Sequence, residues 1–248
     1  MGAGPRLAAR IVTRSSLSGA TRDAMWALFH ATYDDVERDR FERDLDGKSH
    51  VILLLDARGG DVRGFSTQRL FEQTVRGRRV QVLYSGDTVV DPAYWGQTAL
   101  HRAFLRFGMG AALRRPRVPT YWYLISKGYK TYLLLARNFP EHWPRHDRPT
   151  PDWQQALLDH LGAALFPGAW DPGKGVLHHP TALGRLRDGV APVEPAALAH
   201  PDVAFFCERN PGHAQGDELC CLGHVGLDLW AAYTFKLARR ALGKGRGA

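Results

Sequence analysis

The residues best placed to do chemistry lie between Arg79 and Phe107, RVQVLYSGDTVVDPAYWGQTALHRAFLRF. An apolar strand ends there at Asp91-Pro92, because proline lacks the amide donor that a central ladder needs. Beyond it Ala99, Leu100, Ala103, Phe104, Phe107 and Ala111 recur at helical spacing. The first turn of a helix carries backbone N–H groups with no carbonyl partner, and here it follows directly on the end of a strand. A site of that kind binds anions, a pyrophosphate above all. Other chemistries find less support. No serine sits in a G-x-S-x-G elbow, and Gly96 to Leu100 lacks the G-K-[ST] of a Walker loop, which disfavours a serine hydrolase and a P-loop NTPase. Cys207, His213, Cys220, Cys221 and His224 cluster in sequence, with two strands about a loop bringing Cys207 opposite Cys220 or Cys221. Their spacing matches no zinc pattern, and adjacent cysteines on a strand point to opposite faces. They read as buried apolar thiols, and no metal is expected.

The elements that must position this loop are legible on both sides of it. Val80, Val82, Tyr84, Thr88 and Val90 share one parity, while Leu83 and Val89 make the other face apolar too, so the strand is central and covered on both sides. Upstream, Ala9 to Thr13 reads as a first strand. Ala24, Met25, Leu28, Phe29, Thr32 and Tyr33 form one helical stripe, and a second short helix through Phe41 and Leu45 stops at Gly47. Val51 to Asp56 and Val62 to Leu70 are strands joined by the turn sequence ARGGD, and Arg76-Gly77-Arg78 turns the chain into the central strand, giving an antiparallel meander. Downstream, Thr120 to Ile125 is an aromatic strand and Lys130 to Phe139 a short helix. Trp153 to Leu165 reads as a helix, Phe166 to Ala199 is rich in Gly and Pro, and Val203 to Arg209 with Glu218 to Val225 read as a closing hairpin. Leu227 to Leu242 is an apolar helix with a basic end. The expected organisation is a core over residues 1–140, a helical insertion or lid over 141–202, and the hairpin with its basic helix over 203–248, all in one structural domain.

Composition narrows the function classes. With 44% hydrophobic and 23% charged residues, the 248-residue chain can bury one sizeable core. The net charge of +8 is scattered in small clusters, without a nucleic-acid-binding motif, so no nucleic-acid partner is expected. Three cysteines make no disulfide framework, and neither a signal peptide nor a long apolar run is present, which gives a cytoplasmic expectation. The basic C-terminal helix leaves open peripheral contact with a membrane or docking of a carrier protein.

The strand, the V-x-P-x-Y-x-G-Q run and the helix that follows resemble the acyl-CoA-binding segment of the GCN5-related N-acetyltransferase (GNAT) superfamily. The matching residues are Val90, Pro92, Tyr94, Gly96 and Gln97. Trp95 stands where that family usually has Arg or Gln, and Thr98 and Leu100 where it usually has Gly or Ala. The resemblance covers about the first 140 residues and implies an α/β (α+β) fold: a mixed, mostly antiparallel central sheet flanked by helices, here with a C-terminal elaboration. It also implies that the strands on either side of the helix splay apart, with a thioester lying in the gap.

The activity implied is transfer of an acyl group from acyl-CoA, or from a thioester on an acyl carrier protein, to an amine on a small molecule or peptide. Thr88, Val89, Val90, Tyr94, Trp95, Gly96, Gln97, Thr98 and Ala99 are the donor-binding candidates. The family often places a tyrosine acid on the helix after the fifth strand, which points to Tyr132, although Leu134 occupies the usual register. For the base the candidates are Tyr84, at a spacing where some members carry Glu, Asp87 as the nearest carboxylate, and Glu72 reaching across the ladder; a water relay is the alternative. The aromatic strand Tyr121 to Tyr123 and the apolar Leu133 to Leu135 suggest room for an acyl group longer than acetyl. The rival reading is a catalytically silent module that binds a ligand or partner.

Overall fold

A computed structural model of the chain describes residues 6–178 and 195–244. Its strands are β1 (Leu7–Thr13), β2 (His50–Asp56), β3 (Val62–Val75), β4 (Arg78–Val90), β5 (Thr120–Ser126), β6 (His142–Trp143), β7 (Trp170–Asp171), β8 (Val176–Leu177) and β9 (Glu218–His224). Its helices are α1 (Gly19–Thr32), α2 (Arg38–Asp46), α3 (Ala99–Arg114), α4 (Tyr129–Asn138), α5 (Asp152–Leu165), α6 (Pro201–Arg209) and α7 (Leu227–Lys244). All nine strands join one sheet in the order β1-β2-β3-β4-β5-β9-β8-β7, with β6 also on β9. Every pairing is antiparallel except β4 with β5. This is the mixed, mostly antiparallel sheet that the GNAT resemblance implies, and β4 is central, between β3 and β5.

Two faces result. On one, Met25, Phe41 and Leu45 from α1 and α2 cover Val51, Leu53, Phe65 and Val89, while Leu157, Leu158 and Leu161 from α5 cover Val80, Val82, Tyr121 and Leu222. On the other, α3, α4, α6 and α7 bury Ala103, Phe104, Leu135, Phe206 and Leu229 against Ile52, Leu83, Trp122 and Cys221. Strand β4 changes parity between these faces. Ser66 pairs with Thr88 and Gln68 with Ser85, so Gly86 and Asp87 together oppose the single residue Thr67, a β-bulge. Tyr84 therefore shares a face with Val89, whereas Thr88 and Val90 turn to the α3 side. The single parity expected for Val80 through Val90 is corrected by that extra residue.

The C-terminal half departs further from expectation. Val203 to Arg209 is the helix α6 rather than a strand: Pro201 sits at its first turn, the His200 side chain accepts from the Asp202 amide, and Val203 and Phe206 bury at helical spacing. Of the expected closing hairpin only β9 is a strand, and its seven residues pair with β5, β6 and β8. Cys207 goes to the helix with α6, away from any strand pairing, while Cys220 and Cys221 bury on opposite faces. Residues 141–202 do more than cover the core, since they add β6, β7 and β8 to the same sheet. His179 and the rest of 179–194 lie outside the described residues, as do the side chains of the basic stretch from Lys236.

Helix α4 packs so closely on β9 that a Cβ at Gly223 would lie 2.8 Å from both Leu135 Cδ1 and Phe139 Cδ1. Gly223→Ala is expected to lower stability by about 1–3 kcal/mol, seen as a reduced denaturation midpoint at unchanged slope. A midpoint equal to that of the parent would contradict this packing.

Candidate active site at the strand splay

β5 pairs with β4 only from Gln81 to Ser85; the last matched pair is Ser85 with Leu124. Beyond it β4 bulges at Gly86 and Asp87 and continues along β3, while β5 continues along β9 to Ser126. The two strands part, and a cleft of about 520 Å³ opens between them. That size is typical of a small-molecule site. The cleft reaches both sheet faces: Trp95, Leu100, His101 and Phe104 line it from the α3 side, and Phe29, Tyr33, Phe41 and Asp44 from the α1–α2 side.

On the α3 face a chain of side-chain hydrogen bonds spans the point where the strands part. Trp122 Nε1 donates to Ser85 Oγ at 2.8 Å, Ser85 Oγ donates to Gln68 Oε1 at 3.0 Å, and Gln68 Nε2 donates to Ser66 Oγ at 2.8 Å. Ser66 Oγ and Thr88 Oγ1 then share a hydrogen bond of 2.7 Å. This chain ties Ser85 to Thr88, the two ends of the bulge, through the fully buried Gln68. A buried network satisfied along its length fixes one geometry.

On the other face the bulge meets charge. Lys48, its side chain 4% exposed, places Nζ 2.7 Å from both Asp44 carboxylate oxygens and 5.2 Å from the Tyr84 ring centroid. Lys127 Nζ stands 3.8 Å from Glu218 and 5.8 Å from the Tyr33 ring. Burial pushes the Asp87 carboxyl up to about 7; Asp44 adds to the rise, and Lys48 and Lys127 oppose it. Burial also raises the Tyr33 and Tyr84 phenols, with Asp87 and Glu218 contributing at both. Both phenols stay protonated at neutral pH, and a protonated phenol is not the base suggested for Tyr84.

The residues singled out from sequence fall into two groups. Asp87, Tyr84, Thr88 and Trp95 line the cleft together. Tyr132 does not: it is fully buried on the side of α4 turned to α6, its hydroxyl donates to the Pro144 carbonyl at 3.0 Å, and its ring packs on Phe205 and Phe206. The cleft takes Lys130, Thr131 and Leu134 from α4 instead. Nor does Glu72 reach it. Opposite Gln81 near the far end of β3, it pairs with Arg115 at 3.5 Å and Arg79 at 3.8 Å.

In the loop, most side chains hold structure. Asp91 Oδ1 accepts from the Ala93 amide at 3.0 Å, the Tyr94 hydroxyl donates to Asp56, Trp95 Nε1 donates to the Val90 carbonyl at 2.8 Å, and Gln97 Oε1 accepts from the Leu7 amide at 2.9 Å. Val89 is buried under α1 and α2, and Ala99 is buried at the start of α3. Gly96 takes φ +80°, a left-handed turn suited to glycine, and Thr98 leads into α3 as its N-cap. What the loop offers a ligand is therefore backbone, with the indole of Trp95, 53% exposed, at the rim.

Sequence reading missed Lys48, Asp44, Lys127, Glu218 and Tyr33. Lys48 and Asp44 stand four apart at a helix end and look like a surface pair. One signal was available: a glycine inside an apolar strand, as at Gly86, often marks a bulge. Among the described residues no group of three or more His, Cys, Asp or Glu side chains is arranged to hold a metal ion, and no helix is long and apolar enough to cross a membrane.

No family model matches the sequence, and no curated protein matches it. Solved structures similar to the chain include a conserved protein of unknown function from Enterococcus faecalis V583, a probable N-acyltransferase, at 18% identity over 56% of this chain and 37% of that chain, with a TM-score of 0.40. The GNAT family N-acetyltransferase YhbS of Escherichia coli, in complex with CoA, is similar at 19% identity over 55% of this chain and 74% of that chain, with a TM-score of 0.37. FeeM, an N-acyl amino acid synthase from uncultured soil microbes, is similar at 14% identity over 54% and 79%, with a TM-score of 0.39. The chain spans little more than a third of the length of the Enterococcus protein. Of these three, the Escherichia coli protein carries the GNAT name.

The buried carboxyl gives a stability signature that needs no ligand. In the folded chain Asp87 keeps its proton to about pH 7, while an unfolded aspartate loses it near 3.9. Between those values the folded state binds more protons, so stability falls as pH rises. Asp87→Asn is expected to match the parent at pH 4 and to exceed its Tm at pH 8 by up to roughly 8–16 °C. Equal Tm differences at the two pH values would contradict the assignment.

Proposed function

We propose that the chain is an N-acyltransferase that moves an acyl group from a pantetheine thioester to an amine in the cleft between β4 and β5. The observation that carries this reading is the splay itself. Beyond Ser85 the edge of β4 facing β5 loses its strand partner at a bulge whose carboxyl is tuned to neutral pH, and the first turn of α3 stands at the mouth of the same cleft. The unpaired edge offers amides to the pantetheine arm and thioester carbonyl, and the α3 N-terminus offers amides to the donor's phosphates.

In this reading the acceptor enters from the α1–α2 side as an ammonium ion. Asp87 takes one proton, the amine attacks the thioester carbonyl, and as the C–S bond breaks the nitrogen's second proton passes through a cleft phenol to the departing thiolate. Since Tyr132 is turned to α6, we assign the proton donor for that thiolate to Tyr33, a cleft phenol kept protonated by burial. A general base near its operating pH contributes about 10²–10⁴ in rate.

The donor is acyl-CoA or an acyl carrier thioester, and an acyl group longer than acetyl fits the apolar walls. Those walls are Phe29, Phe41, Tyr84 and Phe166. Of the residues behind the long-chain expectation, Trp122 and Leu134 line the cleft, whereas Tyr121, Tyr123, Leu133 and Leu135 are packed in the core.

Turnover of acetyl-, octanoyl- and palmitoyl-CoA against a panel of amines tests the reading. Free-thiol release dependent on acceptor is expected, greatest with a chain beyond acetyl, with kcat in Asp87→Asn down by about 10²–10⁴ and Tyr132→Phe close to the parent. Release with acetyl-CoA alone would remove the long-chain claim. Undiminished turnover in Asp87→Asn would remove the base, and no release with any donor would leave the silent binding module.

A further inference from the structure

We infer that Lys48 is a positioning residue of this site: its buried ammonium threads beneath the Gly86–Asp87 bulge as the fixed counter-charge of Asp87, held there by Asp44. The inference rests on the reading of Asp87 as the base, but its evidence is geometric. Lys48 is the residue between the end of α2 and the start of β2 whose chain runs inward: only 4% of the side chain is exposed, and Nζ lies 2.7 Å from both oxygens of Asp44. The stem reaches the bulge itself. A Cβ at Gly86 would stand 2.6 Å from Lys48 Cε, 3.1 Å from its Nζ and 2.6 Å from Thr67 Oγ1, so only a glycine leaves the passage open. The ammonium also stacks on Tyr84, the residue two before that glycine.

A lysine with no structural task rarely buries its charge, since an ion taken out of water needs compensation on every side. Asp44 supplies one counter-ion, and the Tyr84 face supplies a second, weaker attraction. The remaining charge acts on Asp87. The charges that act on that carboxyl are Asp44 from α2, Lys48 from the α2–β2 turn, Lys127 beyond β5 and Glu218 from β9, with Tyr33 and Tyr84 as neutral phenols in the same cleft. Two acids and two bases surround a third acid, and each acid already has a lysine: Asp44 has Lys48, Glu218 has Lys127. Asp87 thus shares both lysines without owning either, which leaves its proton affinity open to the position of each ammonium.

Opposite shifts from two substitutions test this. In the full-length chain with ¹³C-labelled aspartate, the Asp87 carboxyl resonance, identified by its loss in Asp87→Asn, is titrated in the parent, in Lys48→Met and in Asp44→Asn. The midpoint is expected to rise by about one pH unit in Lys48→Met and to fall in Asp44→Asn. Midpoints moving in the same direction in both variants, or an unmoved midpoint in Lys48→Met, would overturn the inference, because loss of packing alone has no reason to act with opposite sign. If Lys48→Met fails to fold, Asp44→Asn carries the test: a lower midpoint supports it, and an unmoved or raised one overturns it. The titration needs no substrate. Opposite shifts in a protein that turns over no thioester would therefore remove the acyltransferase reading and leave Lys48 in its place.

Discussion

Everything at the site follows from one loss of hydrogen bonding: β4 and β5 stop pairing after Ser85 and Leu124. A parallel pair inside a sheet normally continues, because unpaired backbone amides in a core cost free energy. Here the cost is contained in two ways. β3 and β9 keep the outer edges of the parting strands paired, and the side-chain hydrogen bonds from Trp122 through Ser85, Gln68 and Ser66 to Thr88 hold the bulge in one geometry. What remains is a row of backbone groups facing a cleft, held open by structure on both flanks. The bulge is part of that device. One extra residue turns Asp87 into the gap and returns Val89 to the core beneath α1 and α2, so the strand keeps its hydrophobic anchor while presenting a carboxyl.

Charge is concentrated on the α1–α2 side of the cleft. Asp87, Asp44 and Glu218 oppose Lys48 and Lys127 at one end of the cleft, and beside a protein interior pairwise interactions are stronger than in water. Neutral pairs such as Asp44 with Lys48 are stable there, whereas a third carboxyl is held near the point of protonation. Two residues of this constellation come from opposite ends of the chain: Lys48 precedes β2, and Glu218 begins β9, after the C-terminal elaboration. That elaboration also supplies Phe166 to the cleft wall, which ties the added segment to the site and not only to the core.

The meander, the central strand and the helix beyond Pro92 were legible because each rests on local signals: alternation of apolar residues, a proline that ends a ladder, a glycine at positive φ. The site was legible only where it coincided with those signals, as at Asp87, Thr88 and Trp95. Tyr132 drew attention by residue type, yet α4 turns it toward α6, and which face of a short helix meets a cleft is decided by packing partners far away in sequence. Lys48 carried no signal because burial of a lysine is a tertiary event. Val203 to Arg209 read as a strand since a run of Val, Ala, Phe and Phe suits either period; its helix is set by the proline and histidine before it. The two-residue strands β6, β7 and β8 have no pattern to detect, being defined by β9 and by each other.

The central claim is that the donor's pantetheine arm occupies the splay. A crystal structure of the protein with CoA tests it most directly. The account predicts the CoA sulfur between the Gly86–Thr88 bulge and the start of α4, with the pyrophosphate at the first turn of α3. CoA seated elsewhere on the molecule, or an empty cleft at saturating CoA while the bulge stays intact, would contradict it.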